Sequence, residues 1–197
     1  MNRKLILMIG LSSMLASSPI MAQRMSPELK ALDEQLPGSL MNDPTSLAWE
    51  NFGADYETKA VEDPVIPGGG AALRFTIRKA GSQPYDVAAN VPLLADINPG
   101  ETVTIGFYAR TISAETLGGE GRIIVRFQQN AEPWPGFGDK QLTIGTNWNW
   151  YEVSSIGDRK IKRRDAIVAL QLAGAKQVIE IGQAIVVKGA AAIAGGP

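Results

Sequence analysis

Apolar and polar residues alternate one by one along several segments of this chain, and this pattern constrains its fold more than any other feature. In AALRFTIRK, Leu73, Phe75 and Ile77 alternate with charged or hydroxyl side chains, and ETVTIGFYART and GRIIVRFQQ repeat the pattern. AIVALQLAG and QVIEIGQAIVVKG continue the series, with Gly- and Pro-rich clusters between the segments. Such alternation places one face of each strand in a core and the other in solvent. The chain is therefore predicted to be all-β, a sandwich or a barrel.

One short helix is predicted ahead of the strands, in SPELKALDEQLPG. Ser26 suits the N-cap, Pro27 suits the first helical position, and a Pro-Gly pair ends the segment. Its stripe of three leucines favours packing on the domain or a role as a spacer, and the alternative is a protein partner that binds through this helix.

The first residues have the layout of a secretory signal peptide. Arg3 and Lys4 precede a short apolar run, and small residues lead to Ala22, where cleavage is expected. The run is too short for a membrane-spanning helix, so we expect export to the periplasm or the extracellular space without stable membrane insertion. The predicted organisation is a signal peptide at 1–22, a short helix and linker at 23–40, a β-sandwich at 41–190 and a flexible tail at 191–197.

The chain contains no cysteine and no histidine, and these absences exclude several kinds of chemistry. No disulfide, thiolate nucleophile, Ser-His-Asp triad or HExxH zinc site can form. The 19 basic and 20 acidic residues leave no basic excess for nucleic acid. A glycosidase needs only two carboxylates, but no catalytic motif surrounds Asp86 or Glu180, and Glu180 suits an ion pair with an arginine on a sheet face. We expect no enzyme, with glycosyl-bond hydrolysis as the alternative.

The order of the segments resembles the jelly-roll carbohydrate-binding modules of the family 4 and 9 type, which share the galactose-binding-like sandwich. The resemblance rests on GGGAALRFTI, QPYDVAANVPLLADINPGETVTIGFYART, NWNWYEVS and VALQLAGAKQVIEIGQAIVVKG. It implies a jelly-roll β-sandwich and non-catalytic binding of a polysaccharide or oligosaccharide on a sandwich face. It implies no cofactor, although a structural calcium ion recurs in such sandwiches, and Asn42, Asp43 and Glu50 offer oxygen ligands. The alternatives are an accessory module of a glycoside hydrolase system and a protein-docking domain of the cell envelope.

A sugar site needs aromatic rings that stack on pyranose faces and polar side chains that bind hydroxyls. Tyr108 and Arg110 share one face of a strand, and Arg126 and Gln128 share one face of another. If the two strands lie side by side, the four residues form one polar patch; otherwise they are ordinary solvated side chains. The predicted carbohydrate-binding residues are Tyr85, Asp86, Tyr108, Arg110, Arg126, Gln128 and Trp134.

Trp134 lies between two prolines in AEPWPGFGDK. Prolines stiffen the backbone, so this loop suits a stacking platform held at low entropic cost. The alternative is an indole that points inward and plugs the end of the sandwich, a role for which Phe137 is the better candidate. Trp49 and Phe52 are predicted to lie in the core, and the resemblance implies that one tryptophan of NWNWYEV does so too.

Overall fold

The computed structural model describes residues 26–193, and the predicted signal peptide lies outside them. The described chain contains one α-helix, eleven strands and two short 3-10 turns. They are α1 (Pro27–Asp33), β1 (Ser39–Leu40), β2 (Glu50–Gly53), β3 (Tyr56–Glu62), β4 (Ala71–Ile77), β5 (Val87–Pro92), β6 (Thr102–Ala114), β7 (Gly121–Gln129), β8 (Gly136–Ile144), β9 (Asn149–Ile156), β10 (Ala166–Gln171), β11 (Gln177–Lys188), and the 3-10 turns Pro84–Asp86 and Arg163–Asp165.

The strands form two antiparallel sheets that pack face to face. Sheet A has the order β3-β4-β11-β6-β9, and β1 pairs with the end of β11 that β4 does not reach. Sheet B has the order β2-β5-β10-β7-β8. This architecture confirms the predicted all-β sandwich with one short N-terminal helix.

The core lies between the sheets and is built from the alternating positions that the sequence indicated. Leu73, Phe75 and Ile77 of β4 are at most 6% exposed, and Phe107 of β6 and Phe127 of β7 are fully buried. Burying a side chain of this size contributes roughly 1.5–3 kcal/mol. Buried residues at every second position of strands such as β4 and β7 give each sheet an apolar face, and the two apolar faces pack against each other.

The short helix forms where it was predicted and packs lightly. Ser26 Oγ accepts a hydrogen bond from the Leu29 N–H at 3.3 Å, and no residue of α1 is buried. The Asp33 carboxylate accepts the Leu40 N–H at 2.5 Å and thus connects the helix to β1. Within residues 26–193 no helix has the length and apolarity that a membrane span requires.

The chain after β11 packs against sheet A. Ile193 is 4% exposed, and its N–H donates to the Glu152 carboxylate at 3.0 Å. The last described residues therefore contact sheet A.

Of the two aromatic residues predicted to lie in the core near β2, one is buried and the other is not. Trp49 is buried in the core, but Phe52 is 45% exposed, so its assignment to the core is wrong. Phe52 pairs with Ala88 and lies on the outer face of sheet B. Trp49 lies on the opposite face, which packs in the core. Phe137 is buried and stacks on Phe127 with ring centroids 5.4 Å apart, as a plug at this position would.

Candidate functional site

The outer face of sheet B carries side chains that point away from the core and are nevertheless buried. Ala89 and Val168 belong to the core, so the alternation turns Ala88, Asn90 and Ala169 outward. These three residues are only 1%, 2% and 2% exposed. Neighbouring side chains and loops must cover them to shield them so fully, and we treat this face as the floor of a candidate cleft. We call it the sheet B cleft, and its floor residues are Ala88, Asn90, Ile167, Ala169 and Gln171.

Strand register places Asn90 in the middle of this floor. It pairs with Glu50 on one side and with Ala169 on the other, and Ala169 in turn pairs with Arg126. Paired residues lie on the same face of a sheet, so this row crosses four strands. The Asn90 Oδ1 atom is buried and has no hydrogen-bond partner among the described residues. An unsatisfied buried acceptor costs about 1–3 kcal/mol, so a ligand hydroxyl that reached it would recover free energy.

A hydrogen bond passes above one end of the floor. Asn130 Nδ2 donates to Glu50 Oε2 at 2.8 Å. Glu50 belongs to β2 and Asn130 follows β7, so β5 and β10 lie between the two residues. Three strand spacings amount to about 14 Å, which exceeds the combined reach of the two side chains. The sheet and the loop after β7 therefore close inward here and bound the cleft.

Aromatic and charged side chains flank the cleft. Arg126 forms an ion pair with Asp139 of β8, and Gln128 pairs with Ile167 of the floor. Trp134 lies in the same loop as Asn130 and is 51% exposed. Its backbone N–H donates to the Ala131 carbonyl at 2.7 Å, which fixes the loop.

Three of the predicted site residues thus come together at one end of sheet B, namely Arg126, Gln128 and Trp134. Tyr85 and Asp86 lie in the 3-10 turn before β5, which is at the opposite end of sheet B from these three residues. Tyr85 is 53% exposed, whereas the Asp86 carboxylate accepts hydrogen bonds from the Gln83 N–H and the Ser82 hydroxyl. These bonds, above all the one from Gln83, hold the pKa of Asp86 below its ordinary value. The Asp86 carboxylate therefore stabilises the turn through these hydrogen bonds.

Tyr108 and Arg110 do not join the other predicted residues, so the single patch of four side chains is wrong. They belong to β6 of sheet A, whereas Arg126 and Gln128 belong to β7 of sheet B. The chain crosses from one layer to the other between β6 and β7, and the buried faces of the two strands lie on opposite sides of the core. Alternation identifies the outward residues of each strand but does not say whether two strands are neighbours within a sheet or belong to opposite layers.

The outer face of sheet A instead carries an ionic row. Glu180 of β11 has no exposed surface and pairs with Arg74 at 2.5 Å and with Arg110 at 2.6 Å. This confirms the expected ion pair of Glu180 with an arginine on a sheet face. The Arg110 guanidinium also lies over Trp148, 4.9 Å from the ring centroid. The Trp148 Nε1 atom is buried and has no hydrogen-bond partner in the described part of the chain.

The aromatic residues of this face pack against other parts of the chain. Trp150 lies edge-on to Tyr108, with ring centroids 5.1 Å apart, and over Gly106, where a Cβ would come within 2.1 Å of the indole. Gly68, in the loop before β4, lies against the Tyr108 ring on another side. Trp150 belongs to this outer face, and neither it nor Trp148 is a buried core residue, which corrects the expectation of a core tryptophan in NWNWYEV.

Asn42, Asp43 and Glu50, which offer oxygen ligands, each bond to other groups of the protein. Asn42 uses its amide to bond the Ala184 carbonyl and the Val186 N–H, and Asp43 accepts bonds from Thr45. Glu50 faces Asn130 across sheet B. Among residues 26–193 no group of three or more acidic, histidine or cysteine side chains could hold a metal ion. Asn42, Asp43 and Glu50 thus use side-chain oxygens for contacts within the protein.

The floor of the cleft was missed because its strands look like core. VAANVP and AIVALQ are almost continuously apolar, and every residue of these strands except Pro92 is buried. The available signal was the presence of one amide in each, Asn90 and Gln171, because amides are uncommon at fully buried positions.

Comparison with known proteins supports the fold. No family model and no curated protein matches the chain. Among solved structures, a family 4 carbohydrate-binding module aligns over 71% of this chain and 94% of its own length, with a TM-score of 0.55 and 16% identity. The family 22 xylan-binding domain of Paenibacillus barcinonensis Xyn10C aligns over 79% and 97%, with a TM-score of 0.53 and 10% identity.

A third similar structure is the C-terminal family 22 carbohydrate-binding module of Clostridium thermocellum Xyn10B. It covers 78% of this chain and 95% of its own length, with a TM-score of 0.51 and 17% identity. Each match spans nearly the whole neighbouring domain, and the described chain forms one two-layer sandwich of the same kind. The chain therefore has the jelly-roll β-sandwich fold of carbohydrate-binding modules.

Proposed function

We propose that this chain is a non-catalytic carbohydrate-binding protein and that a glycan lies in the sheet B cleft. The observation that carries the proposal is Asn90, a 2% exposed amide in the floor whose Oδ1 lacks a partner among the described residues. Buried polar groups are normally hydrogen-bonded, and an exception in the floor of a cleft suggests a ligand group.

The composition of the cleft suits a sugar. Ala88 and Ala169 contribute only small side chains to the floor, and the amides of Asn90 and Gln171 can bind hydroxyl groups as donor and acceptor. Phe52 and Trp134, both about half exposed, offer apolar rings at the margins. A ring of this kind can cover the C–H face of a pyranose. Solved structures with this fold include a xylan-binding domain and a module described by its ligand-binding cleft, which supports the choice of a glycan.

Export belongs to the same proposal. It rests on the basic start, the apolar run and the small residues before Ala22. A periplasmic or extracellular location would place the cleft among polysaccharides. Amino-terminal sequencing of the protein recovered from outside the cytoplasm would test it, with residue 23 expected first.

A glycan array followed by calorimetry with the best glycan tests the binding proposal. Asn90→Ala should weaken binding at least tenfold, because it removes the acceptor that the sugar would satisfy, and it should leave the melting temperature unchanged or higher. Asn147→Ala, an exposed asparagine near sheet A, is the matched control and should bind normally.

The same experiment compares the two faces of the sandwich. Trp148→Phe alters the outer face of sheet A and keeps an aromatic ring there. If it weakens binding and Asn90→Ala does not, the site lies on sheet A and the proposed cleft is wrong. If the folded protein binds no glycan, the function itself is wrong.

A further inference from the structure

The loop between β9 and β10 concentrates positive charge. Across the whole chain basic and acidic residues almost balance, at 19 and 20. Within the six residues 159–164, however, five are cationic. They are Arg159, Lys160, Lys162, Arg163 and Arg164. We call these five residues the basic loop.

Nearby acids compensate this charge only in part. Asp158 pairs with Arg159, Asp96 lies within 4 Å of two lysines, and Asp165 pairs with Arg164. Five cations against three carboxylates leave a net charge of about +2. Arg164 keeps 84% of its side chain exposed, and no ion pair of the Arg163 side chain occurs within residues 26–193. Two guanidinium groups are therefore accessible to a ligand.

The basic loop is held in place. Ile161 is fully buried and exchanges backbone hydrogen bonds with Ile97 at 2.9 Å in both directions. The Asp96 carboxylate accepts the Arg163 N–H at 2.8 Å and a bond from Lys162 at 3.3 Å. These two contacts, the backbone bond first, keep the pKa of Asp96 below its ordinary value. A fixed backbone presents its cations at lower entropic cost than a mobile loop would.

The basic loop lies at the same end of the sandwich as the loop that carries Trp134. The Asn130 N–H donates to the Asp165 carbonyl at 2.7 Å, so the two loops are in contact. Asp165 directly precedes β10, whose outward residues form part of the cleft floor. The pKa of the Asp158 carboxyl is lowered mainly by its hydrogen bond with Arg159, and Arg126, on the flank of the cleft, lies close enough to lower it a little further. Positive charge therefore continues from the flank of the cleft onto its end.

We infer that the glycan in the sheet B cleft is acidic, and that Arg163 and Arg164 bind its carboxylate or sulfate groups next to the sugar rings on the cleft floor. This inference rests on the proposed carbohydrate-binding function and specifies its ligand class. Guanidinium groups bind carboxylates and sulfates with two parallel hydrogen bonds, which suits recognition at an exposed margin. A neutral glycan could form only hydrogen bonds to its hydroxyl groups with these two arginines, and such bonds are weaker than those to an anion.

The test measures the binding of the mature full chain to an array of paired glycans. Alginate, polygalacturonate and hyaluronate are each paired with their carboxyl-reduced forms, and κ-carrageenan, whose only charged groups are sulfates, is paired with its desulfated form, beside neutral xylan, cellulose and β-glucan. The strongest binding is expected for an acidic member and should fall at least tenfold for its neutral partner. The carboxylated and sulfated arms show which anion is bound.

Variants then assign the effect to the basic loop. Arg163→Gln with Arg164→Gln should weaken binding of the acidic glycan about threefold to tenfold at low salt and should leave its neutral form unaffected. The loss should shrink at high salt, because exposed charges are screened. Lys79→Gln with Arg122→Gln removes two cations from the opposite end of the sandwich and should change nothing.

Four outcomes would overturn the inference. If a neutral glycan binds best and Asn90→Ala abolishes that binding, the carbohydrate function stands and the acidic ligand is wrong. If no glycan binds, both are wrong. If the arginine variant weakens binding and Asn90→Ala does not, the loop acts as a simple ion exchanger. If the chain binds vesicles made of equal parts phosphatidylcholine and phosphatidylglycerol as tightly as it binds the best glycan, a membrane surface is the partner instead.

Discussion

Glu180 offers a sharp test of how the outer face of sheet A is stabilised. Its carboxylate has no exposed surface and accepts three hydrogen bonds, two from Arg74 and one from Arg110. The two arginine side chains remain 38% and 31% exposed. Because only the acid is fully withdrawn from water, the cost of breaking the cluster should depend on which side is removed.

Removing both arginines is expected to cost more than removing the acid. Arg74→Met with Arg110→Met leaves a buried carboxylate with no cation, a change that costs about 3–5 kcal/mol. Glu180→Gln keeps the shape of the side chain and leaves arginines that still reach water. A charged hydrogen bond is worth about 1.5–3 kcal/mol when buried, and partial exposure reduces that value, so Glu180→Gln should cost about 1–2 kcal/mol.

Equilibrium unfolding in urea at neutral pH measures both values. The matched control is Arg78→Met, which breaks the pair with Glu57 at the end of the same sheet. Both partners of that pair are about 60% exposed, so its loss should cost less than about 0.5 kcal/mol. If Glu180→Gln proves as costly as the double arginine variant, burial does not decide the energetics and the reasoning fails. A cost for Arg78→Met equal to that of either variant would refute it as well.

Three further predictions concern packing, backbone strain and pH. Gly106→Ala places a methyl group within about 2 Å of the Trp150 indole and should cost about 1–3 kcal/mol in urea unfolding, and an unchanged midpoint would show that the ring moves freely. Trp134 has a φ of +51°, so in the same assay Trp134→Gly should be about 1 kcal/mol more stable than Trp134→Ala, and the reverse order would exclude strain at this position. The pKa of Asp96 is lowered from 3.8, so its contacts stabilise the fold above that pH and are lost as the pH falls through the lower folded value. The melting temperature of Asp96→Asn should therefore lie below that of the native chain at neutral pH and should meet it in acid, and a gap that widened in acid would contradict the assignment.

The sequence predicts most of the architecture because the strands of this chain follow one simple rule. The apolar residues of β4, β6 and β7 recur at every second position, and those positions are the buried ones. The cap of α1 follows from Ser26 and Pro27 in the same direct way. What alternation cannot supply is the pairing of strands, because that depends on contacts between residues far apart in the chain. This is why Tyr108 and Arg126 were placed together although they lie in different sheets.

The candidate site was harder to predict for a related reason. Arg126, Gln128 and Trp134 follow one another closely in sequence, so local reasoning brought them together. The floor residues Asn90 and Gln171 lie on strands that are buried on both sides, and such strands read as continuous apolar runs. Their outward positions become recognisable only when the flanking strands and the loop after β7 are placed above them.

Asn90 connects the stability of the sandwich to its proposed ligand. In the free protein its buried Oδ1 lacks a partner within the described residues, which costs about 1–3 kcal/mol of folding free energy. An alanine at this position would avoid that cost, and its neighbours Ala88 and Ala169 show that the floor accommodates one. An amide here weakens the free protein and strengthens a complex in which a hydroxyl donates to it. Ligand binding should consequently raise the melting temperature of the native chain more than that of Asn90→Ala at equal glycan concentration, because stabilisation by a ligand grows with its affinity for the folded state. An equal rise in both proteins would show that the Oδ1 atom does not contact the glycan.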